Sequence, residues 1–277
     1  MESPETPPIL SPTPPPLPPE PGREGWFKKY FGPVGAALLI GFKFLAKLKF
    51  LLPVLKTGGT MILSIGAYAL MWGWKFAAGF VVLIFVHECG HLIAARRLGL
   101  KVGAPVFIPF MGAFIALKEA PRNAWVEAEV GLGGPLLGTI GAAICEMIYL
   151  VTGNPMFRAL AYTGFFLNLF NLAPVGFLDG GRIVTALSPW LWIVGFVIMA
   201  AMAIHSFNSG MVNPILFIVL ILSLPRLFFL FRAKTDEEKR YFEVTPMQRI
   251  TTAITYFGLI AFLYFGMQLT HLTTRAE

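Results

Sequence analysis

Residues 76–95 read FAAGFVVLIFVHECGHLIAA, an apolar stretch long enough to cross a membrane that carries two histidines and one carboxylate. Polar and ionisable side chains are costly inside a bilayer, so such a cluster in a spanning segment marks a candidate functional site. On a helix, His87 and His91 lie four residues apart on one face, where both imidazoles can bind one metal ion. Glu88 lies beside that face, within reach of a water molecule at the metal. The stretch therefore predicts a metal centre in a transmembrane helix.

The composition of the whole chain agrees with a membrane protein. Of the 277 residues, 56% are hydrophobic and only 13% are charged. The mean hydropathy of +0.69 is far from that of a usual soluble protein. The net charge of +7 does not indicate nucleic-acid binding, because the distribution of the basic residues fits membrane orientation instead. The two cysteines, Cys89 and Cys145, fall in apolar stretches and predict no disulfide framework.

The first 57 residues divide into two predicted segments. Residues 1–25 are rich in proline and are expected to form a disordered tail, which either is a solvated arm or binds an aromatic groove of a partner. No basic residue precedes Arg23, which argues against a secretory signal or a transit peptide. Residues 26–57 are apolar but carry several lysines, a pattern that favours an amphipathic segment lying along the membrane interface.

The remaining chain predicts an all-α membrane protein, a polytopic bundle of about six to seven transmembrane helices. Residues 58–190 are expected to form a catalytic transmembrane core, and residues 191–277 to add C-terminal transmembrane helices. The apolar stretches place the spans at about 58–74, 76–95, 126–151, 157–176, 190–207, 212–231 and 250–270.

The distribution of basic residues predicts which side of the membrane each segment faces. If the segment before residue 58 is cytoplasmic, the cytoplasmic side receives 19 of the 22 lysines and arginines, all except Lys75, Arg158 and Arg275. This bias agrees with the positive-inside rule. We therefore expect a multi-pass protein of the cell (plasma) membrane, with its N-terminus and active-site opening on the cytoplasmic side.

Asp179 is the best candidate for a third metal ligand. A zinc ion in a hydrolytic site typically has three protein ligands and one open position for water. The fourth span returns to the inner side, so it brings Asp179 to a depth similar to that of the two histidines. Pro174 and the glycines after it break this helix, which is typical where backbone lines a buried polar cavity. An aspartate that caps a helix end is the alternative. Asn168 and Asn171 precede the break and share one helix face.

A second interrupted stretch, residues 102–117, lies between the second and third predicted spans. Its prolines and glycines exclude a spanning helix, and its β-branched and aromatic residues predict two short strands around Pro109 to Gly112. Such a membrane-inserted β-hairpin beside the metal either pairs with an unwound substrate segment or only packs against the bundle.

Together, these motifs resemble the site-2 protease family of intramembrane zinc metalloproteases. His87-Glu88-x-x-His91 lies in one span, and Asn171-x-x-Pro174-x-x-x-Leu178-Asp179-Gly180 follows two spans later. In the intervening span, Gly131-Leu132-Gly133-Gly134-Pro135-Leu136-Leu137-Gly138 is similar to the Gly-Pro-x-x-small motif of that family. The resemblance covers about residues 58–190. It indicates a compact form, because no insertion is long enough for a PDZ domain and the tail after residue 231 is too short for a CBS pair.

The resemblance implies hydrolysis of peptide bonds within or near transmembrane segments of membrane-tethered proteins, which is regulated intramembrane proteolysis. It implies one zinc ion per chain held by His87, His91 and Asp179, with Glu88 as the general base. Asn171, and after it Asn168, are the candidates for positioning the substrate or stabilising its oxyanion. The expected partners are single-span membrane protein substrates and the lipid bilayer, with no nucleic acid.

Two other functions stay open at this point. A metal-binding transporter would use the polar cluster as an ion site, but it would need a polar path through outer helix halves that are apolar. An inactive relative would bind transmembrane segments as an adaptor, although the presence of Glu88 favours an enzyme.

Overall fold

The computed structural model describes residues 55–110, 112–210, 213–232 and 235–271. The predicted Pro-rich tail and nearly all of the predicted interfacial segment lie outside these residues. In chain order, the described residues form α1 (55–72), α2 (Trp74–Arg97), β1 (Val106–Ile108), β2 (Gly112–Phe114), α3 (Ala124–Thr152), α4 (Pro155–Asn171), α5 (Asp179–Leu187), α6 (Leu191–Asn208), α7 (Pro214–Phe231), α8 (Asp236–Tyr241) and α9 (Pro246–Thr270).

Five helices of the described ranges, α2, α3, α6, α7 and α9, are long and apolar enough to cross a membrane. The α4 helix has 17 residues, which is fewer than the roughly 20 that a span usually needs. The predicted class, a mostly helical integral membrane protein with a short β-hairpin, is confirmed. The finer count of six to seven spans stays a prediction.

The predicted span at 157–176 extends beyond the helix that forms there. The α4 helix ends at Asn171, and turns occupy the chain until α5 begins at Asp179. Pro174 has no N–H to continue a helical ladder. Gly176 has a φ of 46°, a backbone conformation that favours glycine. Because these two residues interrupt the helix, Asp179 lies at the start of a new one.

Helices α2 and α3 are in direct backbone contact. A Cβ atom added to Gly90 on α2 would lie 2.0 Å from the carbonyl oxygen of Gly133 on α3. Only glycine permits such an approach, because any side chain at this crossing would push the helices apart. The α3 helix also packs against α4 and α5, so it is the element that joins the helices of the core.

The predicted hairpin is present, with Val106 opposite Phe114 and Ile108 opposite Gly112 in an antiparallel register. Side chains of α1 cover the outer edge of β1. The N–H of Phe107 donates to Oγ1 of Thr60 at 3.2 Å, and Oγ1 of Thr57 donates to the carbonyl of Pro105 at 2.7 Å. Among the described residues, no strand pairs with the other side of β2, so that side is the open edge of the hairpin.

The C-terminal helices hold the turn between α4 and α5. The Tyr256 hydroxyl on α9 donates to the carbonyl of Leu172 at 2.6 Å. On α6, Gly195 allows the backbone of Pro174 to approach, since an added Cβ would lie 2.2 Å from that carbonyl oxygen. The turn that leads to Asp179 is therefore fixed by helices that follow it in the sequence.

Candidate metal centre

His87 and His91 form one side of a buried polar site on α2. Both side chains are buried, and their Nε2 atoms lie 3.1 Å apart. The two rings are nearly perpendicular, with planes at 80° and centroids 4.8 Å apart. Because the residues are four apart on a helix, they lie one above the other and direct the same nitrogen toward one point.

Asp179, the first residue of α5, completes a triangle of donor atoms. Its Oδ2 atom lies 3.1 Å from Nε2 of His87 and 3.1 Å from Nε2 of His91. Donor distances of about 2.0–2.1 Å around a tetrahedral zinc ion correspond to donor separations of about 3.3 Å. Asp179 is 88 or more residues away from the two histidines in sequence. Nevertheless, the three donor atoms are separated by nearly the distance that one zinc ion requires.

The ring of His87 is oriented by Asn168 on α4. Its Nδ1 lies 2.8 Å from Oδ1 of Asn168. The Nδ2 group of the same amide donates to the Gly164 carbonyl at 2.7 Å, which fixes the orientation of the amide. Nδ1 of His87 therefore carries a proton, and in the neutral imidazole Nε2 keeps its lone pair.

The ring of His91 is oriented by backbone. Its Nδ1 lies 2.7 Å from the carbonyl oxygen of Val130 on α3. A carbonyl only accepts, so Nδ1 carries the proton here as well. The N–H of Gly134 also lies 3.3 Å from this nitrogen, but a protonated Nδ1 has no lone pair, so we regard the bond to Val130 as the one that orients the ring.

The donor triangle fits a cation. With both protons on Nδ1, the two Nε2 atoms and the Asp179 carboxylate face one another with lone pairs alone. Three buried acceptors at this separation repel unless a cation or additional protons lie among them. Two neutral imidazoles and one carboxylate are a typical ligand set for catalytic zinc, and hydrogen bonds to Nδ1 typically orient the rings of zinc-binding histidines.

Glu88 is the fourth titratable residue at the site. It is buried, and a carboxylate oxygen lies within 4.8 Å of ligand atoms on both histidines. Asp179 lies closer to both rings, with Oδ2 at 3.1 Å from each Nε2 atom. Glu88 is thus positioned near the donor triangle without belonging to it.

The two asparagines occupy different environments. Asn168 is fully enclosed and uses its amide for His87 and the Gly164 carbonyl, as described above. This arrangement favours an orienting role for Asn168 over the predicted oxyanion role. Asn171, the last residue of α4, is partly exposed, and within the described residues its side chain makes no hydrogen bond.

Two glycines of α3 belong to the site although sequence reasoning gave them no specific role. A Cβ atom on Gly134 would lie 2.2 Å from Nε2 of His91, and one on Gly138 would lie 2.1 Å from Oδ1 of Asn168. These glycines leave room for the ring of His91 and for the Asn168 amide that orients the ring of His87. The glycine-rich motif is visible in the sequence. Why glycine is needed at these positions becomes clear only from the packing of α3 against α2 and α4.

Residues 75–193 match the sequence profile of Peptidase family M50. The matched part of the chain is thus similar to an M50 peptidase domain. This is the domain of the site-2 proteases, so the predicted resemblance is confirmed. All of the residues of the donor triangle, together with Glu88 and both asparagines, lie within the matched residues.

Several curated proteins are similar to part of the chain. Zinc metalloprotease MJ0392 of Methanocaldococcus jannaschii is 28% identical over 130 residues, which are 45% of this chain and 37% of the relative. Putative zinc metalloprotease Rip3 of Mycobacterium tuberculosis is 30% identical over 141 residues, 47% of this chain and 35% of the relative. Probable zinc metalloprotease EGY2, chloroplastic, of Oryza sativa is 28% identical over 150 residues, 38% of this chain and 27% of the relative. The chain spans about a third of the length of these relatives.

Proposed function

We propose that the protein is an intramembrane zinc metalloprotease that hydrolyses peptide bonds within or near transmembrane segments of single-span membrane proteins. The observation that carries the proposal is the donor triangle of His87, His91 and Asp179, with each edge at 3.1 Å. The names of the relatives as zinc metalloproteases support the choice of metal and reaction.

The residues of the site divide the work of peptide hydrolysis. A bound zinc ion supplies Lewis acidity, which activates water and polarises the scissile carbonyl. Glu88 takes the proton of the attacking water and delivers it to the leaving amine, a role that typically contributes about 10²–10⁴-fold. Asn168 holds His87 in the tautomer that leaves Nε2 available. Asn171 is the candidate donor to the oxyanion, because its amide has no other bond within the described residues.

The hairpin supplies a surface for the substrate backbone. A protease acts on an extended chain, whereas a transmembrane substrate arrives as a helix. Because α1 side chains cover the edge of β1, the edge of β2 at Gly112–Phe114 is, among the described residues, the edge open to strand addition. An unwound substrate segment paired there would have its backbone satisfied while it lies beside the metal.

The orientation and the cellular membrane are part of the proposal. The last turn of α2 carries Arg96 and Arg97, which follow the metal site toward the end of the helix. The positive-inside rule places this end in the cytoplasm. Water and the cleaved fragment would then enter and leave on the cytoplasmic side of the cell membrane. Regulated cleavage of membrane-tethered proteins is the process that this arrangement serves.

The decisive experiment separates metal binding from cleavage. The full chain is purified in lipid nanodiscs, its zinc content is measured, and cleavage of fluorescent single-span reporter proteins is followed with mass spectrometry of the products. We expect one zinc per wild-type chain, loss of zinc in Asp179→Asn, and zinc retention without cleavage in Glu88→Gln. Glu129→Gln, the same chemical change at a half-buried position of α3, is the matched control and should cleave like the wild type.

The other outcomes either overturn the proposal or indicate a different function. Undiminished cleavage by Glu88→Gln would remove the general base from the mechanism and overturn the proposal. Zinc binding with reporter capture but no cleavage would indicate an adaptor. Metal-dependent ion flux in sealed vesicles without cleavage would indicate a transporter.

A further inference from the structure

The first turn of α5 is held by an unusual concentration of donors on one carbonyl. The carbonyl oxygen of Gly181, two residues after Asp179, accepts from Nε1 of Trp192 at 2.8 Å and from Nη1 of Arg226 at 3.0 Å. The hydroxyl of Thr185 donates to the same oxygen at 3.0 Å. Two of these donors come from other helices, α6 and α7. Through this carbonyl, helices α6 and α7 are therefore hydrogen-bonded to α5.

This turn needs external support. The α5 helix has only nine residues, and isolated helices shorter than about 12–15 residues are marginal. It begins Asp179-Gly180-Gly181, and the two glycines give its backbone more freedom than any other pair of residues would. A carboxylate that must stay within a few tenths of an ångström of its metal position cannot rely on such a turn alone.

Arg226 connects this carbonyl to a buried carboxylate on α3. Its Nη2 group donates to Oε1 of Glu127 at 2.7 Å, while Nη1 reaches Gly181. The guanidinium lies over the ring of Trp192, 5.1 Å from the ring centroid. The planar fork of arginine is suited to hold two acceptors in fixed directions at once. Arg226 thus ties α5 and α6 to α3 through a single side chain.

Glu127 is in turn held by the last residue of α8. Its Oε2 atom accepts from the hydroxyl of Tyr241 at 2.7 Å. Burial and the nearby Glu127 carboxylate raise the pKa of Tyr241, so its hydroxyl stays protonated and continues to donate. Arg182 lies 4.0 Å from both Oε1 of Glu127 and Oδ1 of Asp179, which extends this charged network to the metal ligand.

We propose that Arg226 is a positioning residue of the metal centre: from α7, outside the matched M50 residues, it sets the first turn of α5 and thereby the position of Asp179. The inference rests on the proposed metal site but not on proteolysis. A purely structural ion pair between Arg226 and Glu127 would stabilise the fold without affecting the metal. A lysine at position 226 distinguishes the structural role from the positioning role. It keeps the positive charge for Glu127 but cannot bond Glu127 and the Gly181 carbonyl in two fixed directions at once.

The test measures cobalt binding, because Co²⁺ reports its ligand geometry through its visible absorption. Metal-free full chain in nanodiscs is titrated with Co²⁺, and thermal unfolding is recorded separately without metal. We expect Arg226→Lys to unfold close to the wild-type temperature, to bind Co²⁺ about tenfold more weakly, and to show an altered spectrum, as for loss of an outer-shell partner. Arg232→Lys is the matched control at the C-terminal end of the same helix, where Arg232 pairs with Glu238 of α8, and it should stay within twofold of wild type.

A second variant keeps the test valid if Arg226→Lys fails to fold. Trp192→Phe keeps an aromatic ring beneath the guanidinium and removes one donor to the Gly181 carbonyl, so a spectral change with weaker Co²⁺ binding supports the same positioning role. Wild-type affinity and spectrum in the folded variants would overturn the inference. Failure of the wild-type chain itself to bind Co²⁺ would instead overturn the proposed function, so the two failures are distinguishable.

Discussion

Gly134→Ala is the change that most directly tests the assembled geometry of the metal centre. The added Cβ atom would lie 2.2 Å from Nε2 of His91 and 2.4 Å from its Cε1. Non-bonded carbon contacts are favourable at about 3.5–4.0 Å, so the ring must move by about 1 Å or more. It cannot rotate away without losing the 2.7 Å bond from Nδ1 to Val130.

The expected loss is much larger for metal affinity than for stability. Metal sites tolerate ligand displacements of about 0.2 Å, and loss of an outer-shell contact alone costs about 10–100-fold in affinity. Displacement of the ligand itself should therefore weaken zinc or cobalt binding by more than about 100-fold. Stability changes less, because overpacking costs about 1–3 kcal/mol while alanine gains up to about 1 kcal/mol over glycine in a helix.

The assay compares Gly134→Ala with a control glycine. Gly258 lies on α9, where an added Cβ would meet no atom within 4 Å. Gly258→Ala should bind metal like the wild type and should be equally or slightly more stable. Competitive titration against a chelator of known affinity gives the metal affinity, and metal-free thermal unfolding gives stability. Wild-type metal affinity in a folded Gly134→Ala variant would refute the placement of His91 in the site.

Two further predictions address the shell of the site and the hairpin. Asn168→Ala leaves Nδ1 of His87 without its acceptor, so metal affinity should fall by about 10–100-fold; chelator competition measures it, and an unchanged affinity would deny Asn168 its orienting role. Gly112→Pro removes an N–H and requires a φ near −65° where the native value is 88°, so it should disturb the hairpin and slow cleavage while one zinc stays bound. Equal cleavage rates for this variant and the wild type would mean that the hairpin only packs against the bundle.

The sequence was sufficient to predict the parts of the site that depend on local spacing. The separation of His87 and His91 places both rings on one helix face in any α-helix. The direction of successive spans predicted that Asp179 lies at the same depth as the histidines. In the structure, its Oδ2 atom lies 3.1 Å from Nε2 of each ring. The interrupted stretch before α3 predicted a hairpin, and one is present.

The parts that could not be predicted depend on contacts between distant segments. The spacing of Asn168 and Asn171 suggested a shared role, but a difference of three residues left one enclosed behind His87 and the other at a helix end. Backbone acceptors such as the Val130 carbonyl carry no signal in a residue pattern. The links from Arg226 and Tyr241 to Glu127 join residues about a hundred positions apart, and each side chain alone is compatible with an ordinary charged or interfacial position.

The glycine-rich motif of α3 shows how backbone becomes part of a metal site. Helices that pack through side chains usually have axes about 8–10 Å apart, a distance that side-chain contacts maintain. At Gly90 and Gly133 the backbones themselves touch, so α2 and α3 approach more closely. Only that approach lets the carbonyl of Val130 reach the ring of His91 at 2.7 Å, while Gly134 leaves the opposite edge of the ring unobstructed. The glycines thus permit a backbone contact that orients the ring of His91, although they contribute no side chain themselves.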